Sequence, residues 1–249
     1  MNQIIAAVGF PAITVLFYGL GLAELKRALQ HASFDEGRRK RIFNRVIFSL
    51  TGWAAFVSVW SLSGRMQDFT IFPLNMAPIL FIPMITVLIV TFSSIGKEIL
   101  AHVEPQFVIK LQSFRFFVEL VIWLLFIEQL LPVQMTFEGR NFDVISGVTA
   151  PFIAWLLAIQ KINRTLLVLW NLACLGLLIN IVTVAILSMP TNLQYFFNEP
   201  HSIAVTQFPY AFLPAFLVPL AYMLHFLSLR QLTIGNLKPI SAEPERSRG

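Results

Sequence analysis

Apolar and polar positions divide the chain into seven hydrophobic runs separated by short polar gaps. The runs lie near 4–23, 43–63, 71–92, 113–131, 144–160, 165–188 and 208–229. Each is close to the ~20 apolar residues with which a helix crosses a ~30 Å hydrocarbon layer. The pattern predicts an all-α polytopic membrane protein with seven transmembrane helices over residues 1–234. The polar, proline-containing stretch 235–249 reads as a disordered cytosolic tail.

Charge orients the runs. The first gap and its borders carry Lys26, Arg27, Arg38, Arg39, Lys40, Arg41 and Arg45. The third gap carries Lys97, Lys110 and Arg115, the fifth Lys161 and Arg164, and the C-terminal side Arg230, Lys238, Arg246 and Arg248. Only Arg65 and Arg140 fall in the alternate gaps. Basic residues mark the cytosolic face, so the chain is expected to run N-out and C-in. At 57% hydrophobic and 12% charged residues it has too little polar surface for a soluble domain of this length. The basic residues are spread over four segments, which suits anionic lipid and gives no nucleic-acid surface. The lipid bilayer is therefore the expected partner. The Arg38-Arg39-Lys40-Arg41 cluster is a docking point for a cytosolic partner or anionic lipid.

The third and seventh runs open alike. One reads Phe72-Pro73, then Pro78 and Pro83; the other reads Phe208-Pro209, then Pro214 and Pro219. The second and sixth runs begin with Ile42-Phe43-Asn44-Arg45 and Ile162-Asn163-Arg164, and the first and fifth carry Pro11 and Pro151. Runs 1–3 (about 1–95) and 5–7 (about 144–230) thus read as two parallel copies joined by a connecting helix at about 106–132. This 3+1+3, N-out arrangement resembles SWEET-type transporters, and the resemblance implies solute transport between two three-helix halves. Those transporters carry a Pro-Gln signature, whereas here Pro11 and Pro151 precede Ala12 and Phe152. The stretch Met135-Thr136-Phe137-Glu138-Gly139-Arg140-Asn141-Phe142-Asp143 resembles one in uncharacterised bacterial membrane proteins, which implies the bacterial cytoplasmic (inner) membrane.

Of 13 acidic residues, only Glu119 lies well inside a run. An intramembrane carboxylate costs ~2.5–3.5 kcal/mol on insertion scales and normally faces the bundle with a partner. Arg115 stands at i−4 and Gln112 at i−7, with Trp123 continuing the stripe, so the spacing predicts an Arg115–Glu119 pair rising from the cytosolic edge. This line, with Asn180 on the sixth run, forms the candidate ligand-binding or proton-coupling set. Glu128, Glu138, Arg140 and Asp143 are candidates for an outer mouth. Pro83, Pro214 and Pro219 are hinge candidates, because each frees a carbonyl one turn back, on Ile79, Tyr210 and Ala215. His225 reads as a group near the cytosolic boundary.

The seventh run has no lysine, which excludes a retinal Schiff base. No zinc-protease, nucleophile-elbow or phosphate-loop motif occurs, and histidines are too scattered for a metal. No metal site and no cofactor are expected. The leading expectation is a small-solute transporter or permease-like protein. The alternatives are a ligand-binding sensor or accessory subunit, and an intramembrane enzyme acting on a lipid or isoprenoid.

Overall fold

The computed structural model describes residues 2–235, so the stretch 235–249, expected to be a disordered tail, lies almost wholly outside the described residues. Among the described residues the protein is all-helical, without strands. Nine α-helices follow in order: α1 Asn2–His31, α2 Glu36–Leu62, α3 Ala77–Phe92, α4 Ser94–Leu100, α5 Pro105–Leu111, α6 Phe114–Ile127, α7 Val144–Ala158, α8 Arg164–Leu187 and α9 Val218–Thr233. Among the described residues, four stretches are long and apolar enough to cross a membrane: Ile4–His31, Glu36–Leu62, Arg164–Leu187 and Leu213–Thr233. A fifth is added if α3 and α4, bent by 69° at their junction, count as one span.

Local sequence sets the ends of these helices. Asp35 caps α2 by accepting from the Arg38 N–H at 2.9 Å, and Asn163 caps α8 by accepting from Leu166 at 2.8 Å. Ser93 caps α4 at Gly96, where a Cβ would sit 2.0 Å from the Val90 carbonyl oxygen. The α3–α4 bend therefore requires glycine at that position.

Three expectations from the hydrophobic pattern are corrected. The connecting helix expected at about 106–132 is broken into α5 and α6, with α4 ahead of them in the third gap, and α5 packs between α7 and α9, with Ile109 buried against Ile153, Leu167 and Leu232. Turns from Gln112 to Ile109 and from Arg115 to Gln112 then carry the chain on into α6. The third run does not begin its helix at 71, because residues 65–71 form two 3-10 turns ahead of the Pro73 bend. The fourth and fifth runs form α6 and α7, of 14 and 15 residues, each shorter than a full span.

What completes those two short helices is the segment between them. After α6 ends, residues 128–143 fold back along it, with the Gln134 amide donating to Ser188 near the end of α8 and Asn141 reaching Glu119. Two glycines permit this return. A Cβ on Gly139 would lie 2.3 Å from the Val133 carbonyl oxygen, and one on Gly147 would lie 2.3 Å from the Phe116 nitrogen. Hence α7 starts beside the first turn of α6 and lies alongside α5.

The last helix is the most enclosed of the four long ones, while on α2 only Val57 and Ser61 are buried. Before α9, Leu213–Leu217 forms a π-turn in which the Val218 N–H reaches the Leu213 carbonyl. The carbonyl that Pro219 frees, on Ala215, accepts from the Trp53 indole N–H at 2.9 Å. The one that Pro214 frees, on Tyr210, accepts from the Leu213 N–H at 2.9 Å. Tyr18 donates to the Phe216 carbonyl at 3.0 Å. Two helices, α1 and α2, thus hold the π-turn in place, which meets the demand that freed backbone groups at membrane depth find partners.

Candidate functional site

Arg115 is 2% exposed and is the hub of a buried polar network. Its Nε donates to Asp143 Oδ2 at 2.7 Å, and its Nη2 makes a second bond to Asp143 Oδ1. Nη2 also donates to the Cys174 carbonyl at 3.3 Å, and Nη1 lies 2.8 Å from His225 Nε2. A guanidinium has only donors, so His225 Nε2 accepts and the imidazole proton sits on Nδ1. That proton is given to Asn171 Oδ1 at 2.9 Å, and the Asn171 amide donates to Ser228 Oγ at 3.0 Å and the Leu167 carbonyl at 2.9 Å. Every direction in this chain is fixed, and it ties α6, α7, α8 and α9 together.

The hub is deep. Cys174 lies ten residues from the start of α8 and thirteen from its end, about 15 and 20 Å at 1.5 Å per residue. His225 lies near the middle of the Leu213–Thr233 stretch. Arg115 is thus at mid-depth of the bundle and not at the edge that its place in a basic gap suggested. His225 is corrected likewise, being fully buried and not at a boundary.

Glu119 stands one turn along α6 and is also 2% exposed. The expected Arg115–Glu119 ion pair does not form, because Arg115 turns to Asp143 instead. Among the described residues, the only hydrogen-bond partner of the Glu119 carboxylate is Asn141, whose Nδ2 donates to Oε2 at 2.6 Å. Asn141 is held by a second bond to the Met135 carbonyl at 3.0 Å, and its Oδ1 accepts from the Asp143 N–H at 3.0 Å. The returning segment therefore supplies both the acid that neutralises Arg115 and the amide that positions Glu119.

Glu119 lies in the wall of a cavity of about 80 Å³. At roughly 10–15 Å³ per water on this measure, it has room for a few waters or a short aliphatic chain. Arg115, Glu119 and Asp143 are its charged residues, and the rest is apolar: Met76 just before α3 and Leu80 within it, Val118 and Ile122 of α6, Leu178, Ile181 and Ala185 of α8, and Leu217, Val218 and Ala221 around the start of α9. Pro214 of the π-turn lines it as well.

One family matches the segment that builds this site. Its model, described as a domain of unknown function (DUF8737), covers residues 96–233, more than half of the chain. The chain belongs to that family. No curated protein and no solved structure matches it. The family segment contains Gln112, Arg115, Glu119, Asn141, Asp143, Asn171, His225 and Ser228, so the whole polar network lies inside it, whereas α1, α2 and α3 lie outside.

The remaining candidates scatter. Gln112 is fully buried but off the cavity, with its amide 3.5 Å from the Ala221 carbonyl. Trp123 donates to Glu138 at 2.6 Å and stacks on Phe137 at the surface. Asn180 is exposed and donates to the Arg140 carbonyl at 2.7 Å, so it is no part of the cavity. Arg140 lies over the Phe196 ring, and Glu128 is partly buried away from the network. Asp143 is corrected from outer mouth to buried partner of Arg115, at 5% exposure, because the returning segment brings it inward. Pro214 lies within the π-turn and lines the cavity, Pro219 follows the turn, and neither Pro219 nor Pro83 lines the cavity. Asn141 and Ser146 were missed; the signal available was the polar pair Asn141 and Asp143 immediately ahead of an apolar run.

Proposed function

We propose that the protein is a permease-like membrane protein that binds a small amphiphilic solute in the cavity between α3, α6, α8 and α9. The observation that carries this reading is Glu119: a buried carboxylate with one partner, in the wall of an otherwise apolar cavity at mid-depth. A binding site near the bilayer midplane, beside interrupted helices, is how many transporters expose a solute to each side in turn. The short α6 and α7, the returning segment and the π-turn are interruptions of that kind.

On this reading the seven runs cross the membrane N-out and C-in, with the returning segment completing the passages of α6 and α7. Side-chain contacts gather the basic segments at one end of the bundle. Arg27 donates to the His102 carbonyl, the Ser33 N–H to Glu98, and Arg230 to the Ser93 carbonyl. Arg65, Arg140 and Asn180 belong to the opposite end. A 3+1+3 repeat is supported by the packing of α3 against α9 and by matching turns, Met76 N–H to Pro73 and Phe212 N–H to Pro209. The membrane is the bacterial cytoplasmic membrane, with Arg38, Lys40 and Arg41 exposed toward its anionic lipids.

The test needs no knowledge of the solute. Leu178 lines the cavity, and Cys174 is the sole cysteine. Leu178→Cys is made in a Cys174→Ala background and labelled with a membrane-impermeant maleimide in right-side-out and inverted vesicles. Labelling from both sides is the permease result. Labelling from one side alone overturns it in favour of a ligand-binding sensor.

A further inference from the structure

The geometry points to a hydrophobic ammonium ion as the solute, its charged head on Glu119 and its hydrocarbon body along the apolar wall. This deepens the permease reading and rests on it.

Charge at the cavity decides the class. Arg115 and Asp143 cancel each other in a bidentate pair, so Glu119, wherever it ionises, is one net negative charge among apolar walls. The titratable groups around Arg115, the hub one turn from Glu119, are Asp143 at the start of α7, Cys174 on α8, and Tyr222 and His225 on α9. The only cation, Arg115, directs its donors at Asp143, the Cys174 carbonyl and His225. His225 accepts from Arg115 and so is neutral.

The same arrangement rejects other classes. A carboxylate or phosphate head finds no uncommitted cation and meets Glu119 as a like charge. A polyol, the class that the SWEET resemblance implies, needs many hydrogen-bonding partners. Here its hydroxyls would face Val118, Ile122, Leu178 and Ile181, and stripping water from them without replacement is costly. An ammonium ion meets the Glu119 carboxylate with an opposite charge, while its alkyl chain is favoured by the apolar wall.

A proton and an ammonium ion compete for the same carboxylate, so affinity for the amine falls as pH is lowered. The experiment compares n-hexylamine, n-hexanol and hexanoate, which share a chain and differ in head charge, by calorimetry on the full chain in lipid nanodiscs with empty nanodiscs subtracted. In the wild type, hexylammonium is expected to bind at least about tenfold tighter than hexanol, with hexanoate weakest. Its affinity should weaken by up to about tenfold per pH unit on the acid side, while that of hexanol stays level. Glu119→Gln keeps an oxygen for Asn141 and should erase the amine's advantage while retaining hexanol binding. Equal binding of amine and alcohol, or an amine preference that persists in Glu119→Gln, overturns the ammonium assignment and leaves the permease reading standing. Binding of none of the three also overturns it, while the two-sided labelling of Leu178→Cys still decides the permease reading. Should Glu119→Gln fail to fold, the wild-type comparison and its pH dependence decide alone.

Discussion

Two carboxylates stand near Arg115, both buried, and meet opposite fates. Asp143 takes both parallel bonds of the guanidinium and a further contact from Ser146 Oγ at 3.4 Å. Glu119, on the same helix as Arg115 and one turn away, takes a single amide bond and turns toward the cavity. The Asp143 side of the network is closed: donors and acceptors match, charges cancel, and four helices are fixed relative to one another. The Glu119 side is open. Closure of this sort belongs to architecture, and an unmatched carboxylate on a rigid support belongs to binding. The Arg115–Asp143 pair serves Glu119 by locking the segment that carries Asn141.

The comparison breaks most severely at Arg115. Arg115→Met leaves Asp143 charged and buried without a counter-ion, a loss expected to cost ~3–5 kcal/mol. Loss of folded protein in mild detergent, followed by thermal unfolding, measures it. Replacing both partners, Arg115→Met with Asp143→Leu, should recover most of that loss, because two matched apolar groups leave no charge stranded. A double variant as damaged as the single one would mean that the pair does more than hold the fold. Next in size is His225→Leu, which strips an acceptor from Arg115 and a donor from Asn171. Each unpaired buried group costs ~1–3 kcal/mol, and unfolding temperature reads the sum.

The residue pattern made some of this legible and hid the rest. Apolar runs located every long helix, because burial in lipid imposes a length and composition that a single sequence displays. Glu119 was visible as the one acid deep in a run, and Pro214 and Pro219 as breaks beside a site. The pairing of Arg115 was not visible. Helical spacing made Glu119 its nearest choice at i+4, but a side chain on the next segment offered two parallel bonds in place of one. That choice depends on residues 128–143 turning inward, which the polarity of Glu138, Arg140, Asn141 and Asp143 argues against, since such a stretch reads as an outer loop. The inward turn rests on close approaches at Gly139 and Gly147 that no periodicity reports. His225 was misplaced for the same reason: its depth follows from contact with Arg115, and not from its distance to the end of an apolar run.

A smaller effect tests the support around the cavity. Trp53→Phe removes the indole N–H that meets the Ala215 carbonyl freed by Pro219 while keeping much of the aromatic stack with Phe56 and Trp60. The expected cost is ~1 kcal/mol, one hydrogen bond, with slower or altered labelling of Leu178→Cys if the π-turn moves during access. An unchanged labelling rate would make that bond a packing device only.

Glu119→Gln should disturb the fold least of all. Gln keeps the oxygen that accepts from Asn141 and leaves nothing there to ionise without a counter-ion, so stability should hold within ~1 kcal/mol or rise slightly. The measurement is the unfolding temperature of the variant beside Arg115→Met in the same detergent. A small effect at Glu119 with a large one at Arg115 separates the two acids as drawn, because the cost of a charge then falls where its partner is removed and not where the charge itself is removed. A loss at Glu119 as large as at Arg115 would reverse that conclusion. The carboxylate would then be a structural member of the network, tied in through Asn141, and the cavity wall beside it an accident of packing.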